Sequence, residues 1–442
     1  MFSLQSFSET VKNTLKNNQK TTKNANSFWD NDEESALKEA TLKKKPILID
    51  FYGIWCPPCN MLDESVFSTK EFKKAAEKFV LLKMDADSEK SWILKSKYKV
   101  GGYPTIIIAK VEDNIAGNEI DRIVGYEPTE SIVKKMNESL MPNSVTKNEQ
   151  LNTLLKKMIT DAEVADDSEA ALKYTNAGLL INPEDISLKI SKLSYESQKD
   201  KDLADKKESK KILIEAFDKR KNLTLSDLIA AYNIKPKKEI LDEMLSRVNP
   251  ATLFVDNESY SEGDIYGMGA DLGEAEKNEA LQKVYYGMAA DSYKKTLTKY
   301  GENSRGLNLT YVYYLAKSGK TEEAENIINK MISLYPDEFT FYYQAAQLQL
   351  ENKKFGTAKD MIKKSIEKSY GDNKLRSFER ALEIGITTFK STKADLDRND
   401  LQTTITTSEK FLGEFKQPKE LKVRTDRYIK KLATQIETAK KL

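Results

Sequence analysis

The chain has 442 residues, too many for one ordinary hydrophobic core, so two or three domains are expected. Its 71 Lys+Arg against 69 Asp+Glu leave a formal net charge of +2, which argues against nucleic acid or an anionic membrane as the main partner. There is no histidine, which removes the usual general base, metal ligand and haem ligand together, and both of the 2 cysteines fall in one short stretch.

Residues 1–27, rich in Ser, Asn, Lys and Thr, read as a flexible leader without the basic-then-apolar layout of a secretory signal. From Asp32 to Lys45 the apolar positions Ala36, Leu37, Ala40 and Leu42 suit a short helix, with Phe28 and Trp29 just ahead of it. Pro46 stops that helix. Pro46 to Tyr52 then reads as a buried strand ending in a turn at Gly53, and Cys56-Pro57-Pro58-Cys59 opens a helix. Met61, Leu62, Val66 and Phe67 continue at roughly helical spacing, and a second helix runs over Glu71–Lys78. Phe79 to Asp85 is a strand. Ser88 to Tyr98 is a helix with Trp92, Ile93 and Leu94 as its apolar side. Gly101 to Pro104 turns into a β-branched strand, Thr105–Ala109. Asp113-Asn114 marks a hairpin and Glu119–Val124 returns. A helix over Glu130–Leu140, entered through Pro128 or Thr129, closes the unit. This order predicts a small α/β sandwich with a mixed sheet. Residues 142–150, polar with Pro142 and Asn143, read as a linker.

Residues 151–442 hold no convincing strand. Two windows align at a shift of 34: Ala324 falls on Ala358, and Ile327-Ile328 on Met361-Ile362. Ala171 to Pro183 repeats the 12-residue spacing of Ala324 to Pro336. This resembles the tetratricopeptide pattern, in which a small residue lets two helices approach and a proline ends the pair. It implies stacked helix pairs that bury one face against each neighbour. The stretch Phe254–Gly273, with Gly263, Gly267, Gly269 and Gly273, reads as a loop between helices. A dinucleotide reading fails there, because the glycine spacing is off by one and no strand precedes it. No run approaches the roughly 18–20 apolar residues of a membrane span.

A Cys-x-x-Cys pair serves either zinc or thiol–disulfide exchange. Half a zinc site needs two further Cys or His ligands, which this chain does not possess. The strand-to-helix setting favours exchange. Cys56 precedes a proline and is pushed out of helical geometry, which makes it a natural N-cap. Pro57 and Pro58 then fill helical positions whose amides would be orphaned in any case. A Cys56 thiolate can lean on the helix start and the Cys59 amide, which fits it for attack. Cys59, one turn further in and less exposed, suits resolution. No metal and no cofactor is called for.

These residues resemble the thioredoxin superfamily over about Phe28 to Leu140. Trp55-Cys56-Pro57-Pro58-Cys59 matches Trp-Cys-Gly-Pro-Cys with one change, Gly to Pro57. The resemblance implies a buried proton-shuttling acid at Asp50 and its lysine partner at Lys83. It also implies a cis proline at Pro104 in Gly102-Tyr103-Pro104-Thr105, facing the disulfide. Trp55, Pro57, Pro58, Tyr103 and Pro104 are then the groove that meets substrate. The long proline-free segment Asn60–Lys78 is most similar to the C-terminal thioredoxin domain of DsbD-type envelope reductases.

The expected division is a leader over 1–27, a thioredoxin-like domain over 28–141, a linker over 142–150 and a helical repeat region over 151–442. The expected function is thiol–disulfide oxidoreductase. Cys56 attacks and Cys59 resolves the disulfides of a protein client docked by the repeats, in the reducing direction, and a redox partner recycles the pair. The alternative is a repeat scaffold carrying an accessory thioredoxin-like module. Having no cysteine outside the pair suits an oxidising compartment, so an extracytoplasmic, cell-envelope location is expected, with the cytoplasm as alternative. The lysine-rich composition points to a bacterium.

Overall fold

The computed structural model describes residues 27–141, 147–164, 167–198, 200, 202–249, 252–255, 260–416 and 422–442. The expected leader, apart from Ser27, and residues 142–146 of the expected linker lie outside them. Residues 147–150 open a helix.

The first unit is built on five strands in the order β1-β3-β2-β4-β5. These are β1 (Trp29–Asp30), β2 (Ile47–Tyr52), β3 (Val80–Asp85), β4 (Thr105–Glu112) and β5 (Ile115–Val124). β2 lies in the middle, parallel to β3 and antiparallel to β4. A strand covered on both faces has no polar side to present, which is why Ile47-Leu48-Ile49 reads as a continuous apolar run. Successive side chains still alternate. Ile47, Ile49 and Phe51 pack with Val80, Leu82 and Met84 under α1 (Glu33–Lys43). Leu48 faces the other way, with Leu81, Ile106 and Ile108, against α2 (Pro57–Leu62) and α3 (Lys70–Ala76). The β4–β5 hairpin turns at Asp113 and Asn114, with φ of 51° and 60°. Such positive values favour Asn and Asp in two-residue hairpin loops. α4 (Trp92–Lys97) follows a short 3₁₀ turn, and α5 (Thr129–Glu138) closes the unit. Ile93, read as part of an apolar side, is 76% exposed; Leu94 and Tyr98 carry that packing instead. No strand was expected at β1.

Every later element among the described residues is helical. α6 (Lys147–Val164), α7 (Ser168–Ile181), α8 (Ile186–Ser197), α9 (Lys207–Asp218), α10 (Leu225–Ile234) and α11 (Lys238–Ser246) come first. α12 (Glu262–Ala275), α13 (Glu279–Tyr300), α14 (Arg305–Lys317), α15 (Thr321–Leu334), α16 (Phe339–Glu351) and α17 (Phe355–Lys368) follow. α18 (Gly371–Thr392), α19 (Asp395–Glu414) and α20 (Lys422–Lys440) end the chain. The 34-residue shift is structural: α16 begins 34 positions after α14, and α17 begins 34 after α15. Ala324 and Ala358 are both wholly buried, as helix approach requires.

The glycine-rich stretch is not a loop. It forms α12, opened by a reciprocal capping box between Ser261 and Asp264. Four glycines cost a helix roughly 1 kcal/mol each relative to alanine. They are tolerated because neighbouring groups lie where side chains would stand: tyrosine rings at Gly263, Gly267 and Gly269, and Gln282 at Gly273. A Cβ on Gly263 would meet Tyr293 at 2.4 Å, and one on Gly267 would meet Tyr314 at 2.3 Å. Packing overrides propensity here.

The α2-side core of the sheet continues into the helices without a break, taking in Phe254, Tyr293, Leu307 and Tyr311. At the far edge Arg122 of β5 bonds Glu119 and reaches Asp161 of α6 at 2.6 Å. The sheet and the helical array are thus held at both sides.

Candidate active site

β2 delivers the chain to the turn at Gly53, and α2 begins at the cysteines. Cys56 and Cys59 are disulfide-bonded, with Cα atoms 5.2 Å apart. Cys56 is the N-cap of α2 in extended geometry (φ −93°, ψ 108°), as the following proline demands. Its Sγ accepts a hydrogen bond from the Cys59 N–H at 3.3 Å, and its carbonyl accepts from the Asn60 N–H at 3.1 Å. Pro57 and Pro58 occupy the first two helical positions. α2 runs on through a π-helical turn, Asp63–Phe67, in the proline-free segment.

Around the pair, the Trp55 ring meets Tyr103 edge-on at 6.0 Å. The Tyr103–Pro104 peptide is cis, and Pro104 is buried. Asp50 is 2% exposed and lies on the α2 face of β2, the face of Leu48. Burial pushes its carboxyl up to about 7 against the pull of Lys83. Its Oδ1 has no hydrogen-bond partner. The Lys83 ammonium lies 3.9 Å from Asp50 Oδ2, but its shorter ion pair is with Asp63. Asp63 was not singled out from the sequence. Its position four residues after Cys59, on the same helical run, was the available signal.

The attacking sulfur was expected to be the open one and Cys59 the covered one, yet Cys56 is 2% exposed and Cys59 3%. The cause is the helical array. The first turn of α14 sits on the dithiol loop, and a Cβ on Gly306 would fall 2.5 Å from the Pro57 carbonyl oxygen. Only glycine permits that approach. Ser304 donates to Glu64 at 2.5 Å, and the Arg305 N–H donates to the same carboxylate at 3.2 Å. At the start of α18, the Tyr370 hydroxyl donates to Asp85 and the Asn373 amide donates to Asp87. Asp87 also accepts from the Trp55 indole N–H at 2.5 Å, and burial pushes its carboxyl up to about 7. None of the fastenings to α14 and α18 was visible in the sequence, because each joins residues more than 200 positions apart. Among the described residues no group of three or more Cys, Asp or Glu could hold a metal ion.

Residues 30–138 match the thioredoxin family. The chain is 36% identical over 108 residues to Thioredoxin H5 of Arabidopsis thaliana, covering 24% of this chain and 76% of that protein. It is 28% identical over 108 residues to the thiol:disulfide interchange protein DsbD of Campylobacter jejuni (strain RM1221), covering 24% of this chain but only 18% of that protein. Among solved structures, PilW, a type IV pilus biogenesis factor, aligns with 62% of this chain and 97% of its own, at 14% identity and a TM-score of 0.30.

Proposed function

The chain belongs to the thioredoxin family through residues 30–138, and on that premise we propose that it is a protein disulfide reductase whose helical repeats dock the client. The carrying observation is the Cys56–Cys59 bond at the start of α2, with the Cys59 amide pointing at Cys56 Sγ. In the reduced state that amide and the helix start stabilise a Cys56 thiolate.

The thiolate attacks a client disulfide. A Cys56–client bond forms, and the second client sulfur leaves as a thiolate and takes a proton. Cys59 then loses its proton to Asp50, whose carboxyl near 7 is matched to a general base at neutral pH. Its sulfur attacks the Cys56 sulfur, the Cys56–client bond breaks, the client sulfur leaves as a thiolate and takes up a proton, and the Cys56–Cys59 disulfide remains. A redox partner returns two electrons. Lys83, held between Asp50 and Asp63, sets how readily Asp50 ionises. Trp55, Pro57, Pro58, Tyr103 and Pro104 form the lips of the site. Pro57 removes one amide beside the thiolate and stiffens the loop, which supports a potential near the roughly −270 mV of thioredoxins and not the roughly −120 mV of strong envelope oxidants. The isolation of both cysteines in one pair supports an extracytoplasmic location. No helix among the described residues is long and apolar enough to cross a membrane.

The covered position of Cys56 favours a second reading, a repeat scaffold with an accessory thioredoxin-like module. Insulin reduction in dithiothreitol separates the two. The reductase reading expects turnover in the intact chain and none in Cys56→Ser, and no turnover in the intact chain leaves only the scaffold. Cys59→Ser should arrest a covalent complex in which the client can be identified.

A further inference from the structure

The contacts of α14 and α18 with the α/β unit leave a trough between them. Its nearer part is a hollow of about 570 Å³ walled by Trp55 and Pro57 on one side and by Tyr313, Gln344, Gln347 and Arg376 of α14, α16 and α18 on the other. It continues into a second hollow of about 340 Å³ that shares Tyr343, Arg376 and Arg380 and adds Arg427 and Lys431. Four cations there face two carboxylates, Glu379 and Glu383. Glu383 is already paired with Arg380 at 2.5 Å.

Arg376 is the distinctive group. It lies over the rings of Tyr343 at 5.6 Å and Tyr428 at 5.7 Å. Its polar contact is a 3.5 Å hydrogen bond to Asn373, and it makes no ion pair among the described residues. A guanidinium near two aromatic rings and without a carboxylate partner keeps donors that a carboxylate can take in pairs. In the nearer hollow, Gln344 and Gln347 each use the side-chain nitrogen within the protein and keep a buried oxygen with no partner. A main-chain N–H is the donor that an extended polypeptide supplies at each residue.

We propose that this trough binds an extended, acidic segment of the client polypeptide, with its carboxylates against Arg376 and its neighbours and its main chain along α16 towards the dithiol loop. The proposal rests on the reading that the repeats dock the client, and it names the segment they take. It also accounts for the covered cysteine. A folded surface cannot lie flat on a loop that α14 already occupies, whereas a single strand of chain enters from the side.

The test is fluorescence anisotropy of the full oxidised chain with a labelled twelve-residue peptide that alternates Glu and Ser and contains no cysteine. The expected result is saturable binding that weakens with added salt, a loss of ten-fold or more in Arg376→Glu, and a smaller loss in Arg376→Gln, both variants melting like the parent. A Lys/Ser peptide should not bind. Equal binding of the two peptides, unchanged binding in both variants, or full displacement by an oligonucleotide of equal charge at lower concentration would each overturn the proposal. The probe has no sulfur, so a chain that fails to reduce insulin can still pass this test. A chain that reduces insulin and fails here loses only the trough.

Discussion

Replacing Asp50 with asparagine isolates the cost of keeping a buried acid on the central strand. Asp50 is 2% exposed, and burial lifts its carboxyl from 3.8 to about 7. A lift of about three units, at ~1.36 kcal/mol per unit, is on the order of 4 kcal/mol. The sign follows from the raised folded value. Below about pH 4 the acid is protonated in both states and nothing is lost; as pH climbs to 7 the unfolded chain ionises freely while the folded one resists, so stability falls, with the loss complete just above 7. Asparagine never ionises. Asp50→Asn should therefore match the parent near pH 4 and exceed it at pH 8, by an amount approaching that figure. The attraction of Lys83, 3.9 Å away, already opposes the lift and does not add to it. Thermal unfolding of the oxidised protein at pH 4.5, 6 and 8 measures this, as a gap between parent and variant that widens to several degrees. The same variant should slow insulin reduction at least ten-fold at pH 7, through loss of the base. A gap of constant size across the three pH values would refute the reasoning, because the carboxyl would then not be titrating from a buried site.

Three further outcomes follow from the packing around the loop. Gly306→Ala drives a Cβ into the Pro57 carbonyl, so α14 must lift; melting should fall by an amount equivalent to about 1–3 kcal/mol, and iodoacetamide should reach reduced Cys56 faster, whereas unchanged alkylation would mean that α14 does not limit access. Asp87, raised to about 7 by burial, holds the Trp55 indole; tryptophan emission should shift with a midpoint near pH 7, and the shift should vanish in Asp87→Asn. Ser261→Ala removes the cap of α12 and a hydroxyl contact to Tyr293, costing about 1 kcal/mol or slightly more, read as a fall in melting temperature at neutral pH.

The α/β unit was legible because its chemistry is local. The apolar run at Ile47, the proline after Cys56 and the Asp113-Asn114 hairpin each dictate backbone geometry within a few residues, and the strands fall within a few residues of the expected bounds. Glycine spacing misled, because the tyrosines that fill the vacant positions of α12 belong to α13 and α14. The depth of Cys56 was illegible for the same reason. Its cover comes from α14, which neither motif nor periodicity ties to the loop.

A trace of that cover does exist in the repeat itself. Aligned at the 34-residue shift, Gly306 of α14 falls on Thr340 of α16, and Ser304 on Glu338. The buried alanines obey the repeat because they face a neighbouring helix in both units. Gly306 departs from it because only α14 has the Pro57 carbonyl against its first turn, while Thr340 lines the open trough. In an array whose units otherwise solve one packing problem, a position that changes from a hydroxyl side chain to none marks where an outside backbone has come too close for a Cβ. The contact between the repeat and the dithiol loop is therefore written into the first turn of α14, at the position where the 34-residue pattern gives up its side chain to the Pro57 carbonyl.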